Sequence, residues 1–212
     1  MQLEQMRQEY STQSLHRKDL ESTPLKQFEK WFNHALDAKL LEPNAMSLAT
    51  VGEDMMPSIR TVLLKIYDEN GFVFFSNYKS KKAKQIEQNP KAALHFAWLP
   101  LERQVKIEGT IEQISKTDSL KYFLSRPKGS QIGAYISHQS EIISSRSLLE
   151  AKFNEMKNKF LKGEVPFPSF WGGYLLKPTV IEFWQGGQDR LHDRFEYRLL
   201  EDNTWEINRL EP

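Results

Sequence analysis

The chain has 212 residues, enough for one domain with a sizeable core. Its formal net charge is +1 with both signs interspersed, so no basic field points to nucleic acid. There is no cysteine, which excludes disulfides, thiolate metal sites and a cysteine nucleophile. No apolar run approaches the roughly 20 residues that span a bilayer, and Met1–Gln5 lacks the apolar core of a signal peptide. No membrane partner and a cytoplasmic location are expected.

Residues 1–22 are polar, with few apolar anchors, and read as an extension. Thr23-Pro24 supplies an N-cap and a first helical position. Leu25, Phe28, Phe32, Ala35 and Leu36 form one apolar face, predicting a helix to about Leu40. Strands are expected over Ala45–Val51 and Ser58–Tyr67, and Asp68-Glu69-Asn70-Gly71 turns into a third over Phe72–Ser76. Ser80 caps a short basic helix that ends before Pro90. Further strands fit Ala92–Trp98 and Gln104–Ile114, where the spacing of Val105, Ile107, Ile111 and Ile114 hints at a bulge. The middle is helical. Leu120, Phe123 and Leu124 face a core before the Arg126-Pro127 break, and Leu149, Phe153, Met156 and Phe160 mark a longer amphipathic helix ending near Gly163. Strands return at Gly172–Leu176 and Val180–Gln185, then in a hairpin across Asp202-Asn203 from Phe195–Leu200 to Trp205–Arg209. The predicted fold is mainly β with helices, a small β-barrel decorated by α-helices. No glycine-rich strand-to-helix turn argues for a doubly wound sheet.

Four segments carry possible chemistry. Tyr122 and Arg126 lie one helical turn apart, and Pro127 suits the first position of a new helix, placing Ser130 in its opening turn. A phenol, a guanidinium, a hydroxyl and a helix N-terminus suit a phosphate monoester; a plain helix–Pro–helix corner with a solvated Arg is the alternative. In Arg60–Lys65, alternation puts Arg60, Val62 and Leu64 on one face and Thr61, Leu63 and Lys65 on the other. The two cations serve two anions or a solvated edge. Ser80-Lys81-Lys82 places lysines at a helix start, against the dipole, which a bound phosphate relieves; a solvated basic helix is the other reading. Finally, Trp184 closes a strand and Gly186-Gly187 permits a tight turn. Arg190, His192 and Arg194 then share a face if extended, fitting a planar heteroaromatic ligand or, more plainly, a polar edge strand. No His/Asp/Glu spacing suggests a metal, and no P-loop or nucleophile elbow occurs.

Seven blocks in register resemble one family. They are R-T-V-L-L-K (60–65), S-K-K-A-K-Q-I (80–86), L-E-R-Q-V (101–105), R-P-K-G-S-Q-I-G-A (126–134), Gln139-Ser140, P-S-F-W-G-G (168–173) and E-F-W-Q-G-G…R-L-H-D-R (182–194). Together, from about Met6 to Pro212, the chain resembles the pyridoxine (pyridoxamine) 5′-phosphate oxidases. The resemblance implies an FMN-binding split β-barrel acting as a homodimer, with FMN at the interface. It also implies oxidation of pyridoxine or pyridoxamine 5′-phosphate to pyridoxal 5′-phosphate, with oxygen taking the electrons. Carried over, Arg60, Ser76, Lys81, Lys82 and Ser140 hold the FMN phosphate and ribityl chain, beside Thr61, Val62, Leu63, Leu64, Lys65 and Phe75. Gln104, Gln139, Trp184 and Arg194 surround the flavin or its tail. Lys65, Tyr122, Arg126 and Ser130 clamp the substrate phosphate. Arg190 and His192 are the catalytic pair over the pyridine ring, next to Leu191, and Arg7 and Tyr10 close the pocket. Residues 1–22 are then a candidate lid and 23–212 a single domain. The departures are Phe75 where Tyr is frequent, Lys81 where Arg is common and Tyr135 where Trp is common, so a bidentate Arg grip is lost at position 81. Two rivals are a split-barrel flavin reductase with another substrate and a non-catalytic binder of FMN or pyridoxal phosphate. The complete phosphate quartet speaks against the first, and Arg190 with His192 against the second.

Overall fold

The structure, a computed structural model, describes residues 9, 10 and 13–212. Nine strands form one antiparallel sheet: β1 (Ala45–Val51), β2 (Pro57–Leu63), β3 (Ile66–Asp68), β4 (Gly71–Asn77), β5 (Lys91–Trp98), β6 (Arg103–Gln113), β7 (Trp171–Gln185), β8 (Asp193–Leu199) and β9 (Trp205–Leu210). The order is β2-β1-β5-β6-β7-β4-β3, with β8 on β7 and β9 on β8. Five α-helices decorate it: α1 (Pro24–Asp37), α2 (Lys81–Gln88), α3 (Lys116–Ser125), α4 (Lys128–Ile136) and α5 (Arg146–Lys159).

The strand expected over Ser58–Tyr67 is two strands at opposite ends of the sheet order. Leu64 N–H donates to the Asn44 carbonyl before β1, whereas Lys65 N–H donates to Val73 of β4. Two residues therefore join both edges, and the sheet curls into the half-barrel of a split-barrel fold. Inside, α1 lays Phe28 edge-on to Phe72 (5.0 Å between centroids) and Trp31 edge-on to Phe183 (5.3 Å). Met46, Leu48, Phe74, Phe96, Ile107 and Tyr197 complete this core. A second cluster of Phe123, Ile132, Phe160 and Trp171 packs α3–α5 against the start of β7.

The two strands expected at 172–176 and 180–185 are one 15-residue strand. Pro178, which cannot donate to the ladder, faces Gly109 at a register shift where Thr179 of β7 is the extra residue. The bulge expected in β6 from the spacing to Ile114 does not form, since β6 pairs in register from Gly109 to Gln113 and ends before Ile114. A Cβ on Gly109 would collide with the Lys177 carbonyl. Gly109→Ala should therefore cost about 1–3 kcal/mol by overpacking, read as a lower thermal midpoint. Gly163→Ala, which meets open space, should leave the midpoint nearly unchanged.

Four local expectations are corrected. Helix α1 stops at Asp37, because Lys39 takes a left-handed φ of 52°. In α3 only Phe123 of the expected trio is buried; Leu120 and Leu124 are 37% and 53% exposed. The packed side of that helix instead carries Ser119, whose hydroxyl accepts from Gly173 N–H. Pro127 is the N-cap of α4 rather than its first residue, with ψ 142°. Helix α5 ends at Lys159, short of Gly163, with Leu149 41% exposed.

Candidate active site

Strands β2 and β4 with helices α2–α4 enclose a cavity of about 750 Å³. Arg60, Lys65, Lys82 and Arg126 line it, and among the described residues no carboxylate does. Arg60 projects from β2, and its guanidinium is held by the Leu48 carbonyl (3.1 Å), Thr50 Oγ1 (2.6 Å) and Gln85 Oε1 (3.3 Å). Lys82 sits in the first turn of α2, capped by Ser80, and its Nζ donates to Gln139 Oε1 (2.7 Å) and Ser76 Oγ (3.0 Å). Burial, and then the charge of Arg60, pull its pKa down to about 8. Every one of these acceptors is neutral, so the repulsion between the two cations is uncompensated and the pair is set to receive an anion.

The other end of the cavity is built by the α3–α4 corner. Arg126 follows α3 in extended conformation, its guanidinium 4.6 Å over the Trp171 ring, and burial lowers its pKa. Its Nη1 is buried without a hydrogen-bond partner among the described residues. Such an orphaned donor costs on the order of 1–3 kcal/mol or more unless a ligand satisfies it. Tyr122 stacks on Phe75 at 3.8 Å, and Ser130 stands in the first turn of α4. Lys65, Tyr122, Arg126 and Ser130 all line this one cavity, as do Thr61, Val62, Leu63, Phe75, Ser76 and Gln139. Leu64 does not, being buried in the core. Lys81 and Ser140 face an adjoining hollow with Glu53 and Asp54, where Lys81 N–H donates to Ser140 Oγ (3.2 Å). Sequence reasoning missed Trp171 beneath Arg126, although it lies within P-S-F-W-G-G. It also missed Thr50 and Gln85, which only the folded sheet brings to Arg60.

A second set of residues gathers elsewhere. The ring of Tyr10 meets Trp184 (5.8 Å) and His192 (5.6 Å) edge-on, and Trp184 lies 4.6 Å from His192. His192 Nδ1 accepts from Gly187 N–H (3.2 Å), so its ring proton belongs on Nε2, and burial with the Arg190 charge lowers its pKa. Arg194 pairs with Trp184 across β7–β8 and donates through Nε to Glu182 (2.7 Å). Gln104 opposes Trp184 from β6 and bonds His95 (3.0 Å). The expected single face of Arg190, His192 and Arg194 does not form. Gln188–Arg190 is a tight turn with Asp189 and Arg190 at φ 51° and 63°, so strand alternation begins only at Asp193. Leu191 is 71% exposed, and Arg7 lies outside the described residues.

None of this second set lines the cationic cavity. Trp171 and Trp184 lie at opposite ends of β7, on the order of 40 Å apart along an extended strand. The chain thus carries two partial sites, one built for anions and one aromatic with neutral and basic donors.

Residues 32–160 match the family model of pyridoxamine 5′-phosphate oxidase, and residues 171–212 match the pyridoxine 5′-phosphate oxidase C-terminal dimerisation region. The pyridoxine/pyridoxamine 5′-phosphate oxidase of Aliarcobacter butzleri is 72% identical, with all of both chains covered. That of Crocosphaera subtropica is 63% identical, also over the full length of both. Among solved structures, PhzG from Burkholderia lata in complex with tetrahydrophenazine-1-carboxylic acid superposes with a TM-score of 0.89 at 27% identity, covering 97% of this chain and 100% of that one. An FMN-binding protein from Nostoc punctiforme, 16% identical, shares the fold with a TM-score of 0.73 over 90% of this chain and 98% of that one. On the matched model and these full-length relatives, the chain belongs to the pyridoxamine 5′-phosphate oxidase family of oxidoreductases.

Proposed function

We propose that the protein is an FMN-dependent oxidase that converts pyridoxine 5′-phosphate and pyridoxamine 5′-phosphate to pyridoxal 5′-phosphate, with oxygen as electron acceptor. The observation that carries this reading is the carboxylate-free cavity with two separate cationic ends, one of them ending in the orphaned Arg126 Nη1. Two phosphates, one of a cofactor and one of a substrate, fit those ends. Arg60, Lys82, Ser76 and Gln139 would hold the FMN phosphate and ribityl chain alongside the β2 backbone from Thr61 to Lys65 and Phe75, with Lys81 and Ser140 at the margin. Arg126, Lys65, Tyr122 and Ser130 would hold the substrate phosphate. Bound FMN would supply a two-electron acceptor for hydride from the substrate carbon that bears the amine or alcohol, with oxygen taken to hydrogen peroxide. The alcohol gives the aldehyde directly, and the amine gives an imine that water hydrolyses to the aldehyde and ammonia.

The aromatic set completes the site from a second copy. Supporting this are its absence from the lining of the cavity within one chain and the position of Trp184, Arg190, His192 and Arg194 inside the matched dimerisation region. In that homodimer Trp184, Gln104 and Arg194 border the flavin. His192 presents its Nε2–H, and Arg190 and Leu191 position the pyridine ring. Tyr10 covers it, the lid role assigned to the extension of residues 1–22, of which Arg7 lies outside the described residues, while residues 23–212 make one FMN-binding domain. No described helix is long and apolar enough to cross a membrane, and we place the enzyme in the cytoplasm.

The test is purification followed by turnover in air. The protein should emerge yellow, with about one non-covalent FMN per chain, and should form the pyridoxal phosphate chromophore and peroxide from pyridoxamine 5′-phosphate. Colourless protein that takes up no FMN overturns the reading. Yellow protein without turnover makes it a binder, and turnover only with other substrates makes it a different flavin enzyme.

A further inference from the structure

Several described residues before α1 are pinned along one end of the sheet. Tyr10 packs against Trp184 and His192, and a Cβ on Gly186 would press into its ring. Leu15 is buried and its N–H donates to Asp193 Oδ2 (2.8 Å), while Arg17 donates to the Ile207 carbonyl (2.8 Å). Between these anchors Gln13 accepts from Arg103, at the start of β6.

Arg103 is an unusual partner. It is only 6% exposed, lies 4.4 Å over the Trp31 ring, and burial brings its pKa to about 10. Its other acceptors are Gln185 Oε1 (2.8 Å) and His34 Nδ1 (2.8 Å). A guanidinium only donates, so His34 accepts and is neutral there, in keeping with a pKa lowered by burial and by Arg103. All three acceptors are therefore uncharged. Two belong to α1 and β7, and only Gln13 belongs to the segment before α1. Lifting that segment strips a buried cation of an acceptor, which fixes the segment far more firmly than its polar composition suggests.

We propose that Arg103 is a positioning residue for the substrate pocket, gripping Gln13 so that the strap keeps Tyr10 against Trp184 and His192. This rests on the function proposed above, which puts those three rings beside the substrate. Arg103 itself touches no reacting group.

Gln13 is exposed, so its variants test the grip without disturbing the core. In the FMN-loaded protein, hydrogen exchange at the Leu15 amide should quicken about three- to tenfold in Gln13→Ala, the scale of one hydrogen bond to a charged group shared among several anchors. It should slow in Gln13→Glu, because a carboxylate binds the uncompensated guanidinium more strongly than an amide does. KM for pyridoxamine 5′-phosphate should rise by a similar factor in Gln13→Ala and not in Gln13→Glu, with kcat and FMN content unchanged in both. Exchange rates equal to wild type in both variants overturn the anchor. Altered exchange with an unaltered KM overturns the positioning role. A wild type without turnover overturns the proposed function, and the exchange rates still decide whether Arg103 holds the strap.

Discussion

Arg60→Ala and Arg126→Ala are expected to fail in opposite ways. Arg60→Ala should release FMN, because it removes half of the cation pair at the Lys82 end and frees Thr50 and Gln85 from the guanidinium they orient. Arg126→Ala should keep FMN and weaken the phosphorylated substrate by about 1.5–3 kcal/mol, the scale of a charge-assisted hydrogen bond. That is a rise in KM or Kd of roughly ten- to more than a hundredfold. The Lys82 end also carries a pH signature. Its amine has a pKa of about 8 without an anion, and a bound phosphate raises it. FMN affinity is then fully present below about pH 8 and falls as the pH climbs through the higher pKa of the complex. Equilibrium dialysis of FMN against pH, with circular dichroism to confirm folding, checks both claims. Equal flavin loss from both folded variants would mean that the two arginines share one anion.

How much of this could be read from the sequence depended on how local each cause is. Helix α1, helix α2 and the β3–β4 hairpin follow from caps, turn residues and periodicity within a few positions, and each forms close to its expected place. The break at Leu64-Lys65 left no such mark, since alternation continues through it. What bends the chain there is the change of partner from Asn44 to Val73, which only the closed sheet supplies. The expected gap between Leu176 and Val180 closes because a bulge at Thr179, opposite Glu108 and Gly109 of β6, takes up Pro178 and lets β7 run on. The cations of the cavity were legible as residue types at suggestive places. Their lack of any carboxylate partner was not, because that depends on what β2, α2 and the α3–α4 corner exclude together. The row from Arg190 to Arg194 misled for the reverse reason. An alternating pattern invited a strand where Asp189 and Arg190 turn through left-handed conformations.

Arg190→Met should slow anaerobic reduction of the bound FMN by pyridoxamine 5′-phosphate by on the order of a hundredfold or more, the scale of a lost preorganised contact, and hardly change reoxidation by oxygen. Arg190 occupies a left-handed turn next to Asp189 and beside His192, whose ring is fixed by Gly187 N–H. That backbone conformation sets the direction in which the exposed side chain leaves the turn. A guanidinium is a donor and a poor base, so Arg190 acts by position and charge. The substrate carbon must sit within roughly 3–3.5 Å of the accepting atom for transfer, and Arg190 and His192 are the side chains placed to hold the ring there. Methionine retains the Cβ and a similar length, so backbone strain at this position stays the same and the loss isolates the guanidinium. Because that contact acts before the electrons leave the substrate, the defect belongs to the reductive half-reaction and to kcat/KM. Deuterium on the reacting carbon should slow reduction in the wild type, and in Arg190→Met the isotope effect should persist, because transfer then limits the rate still more. Stopped-flow traces in which Arg190→Met is impaired only in reoxidation, or in which a rate-limiting reduction shows no isotope effect, would overturn the assignment.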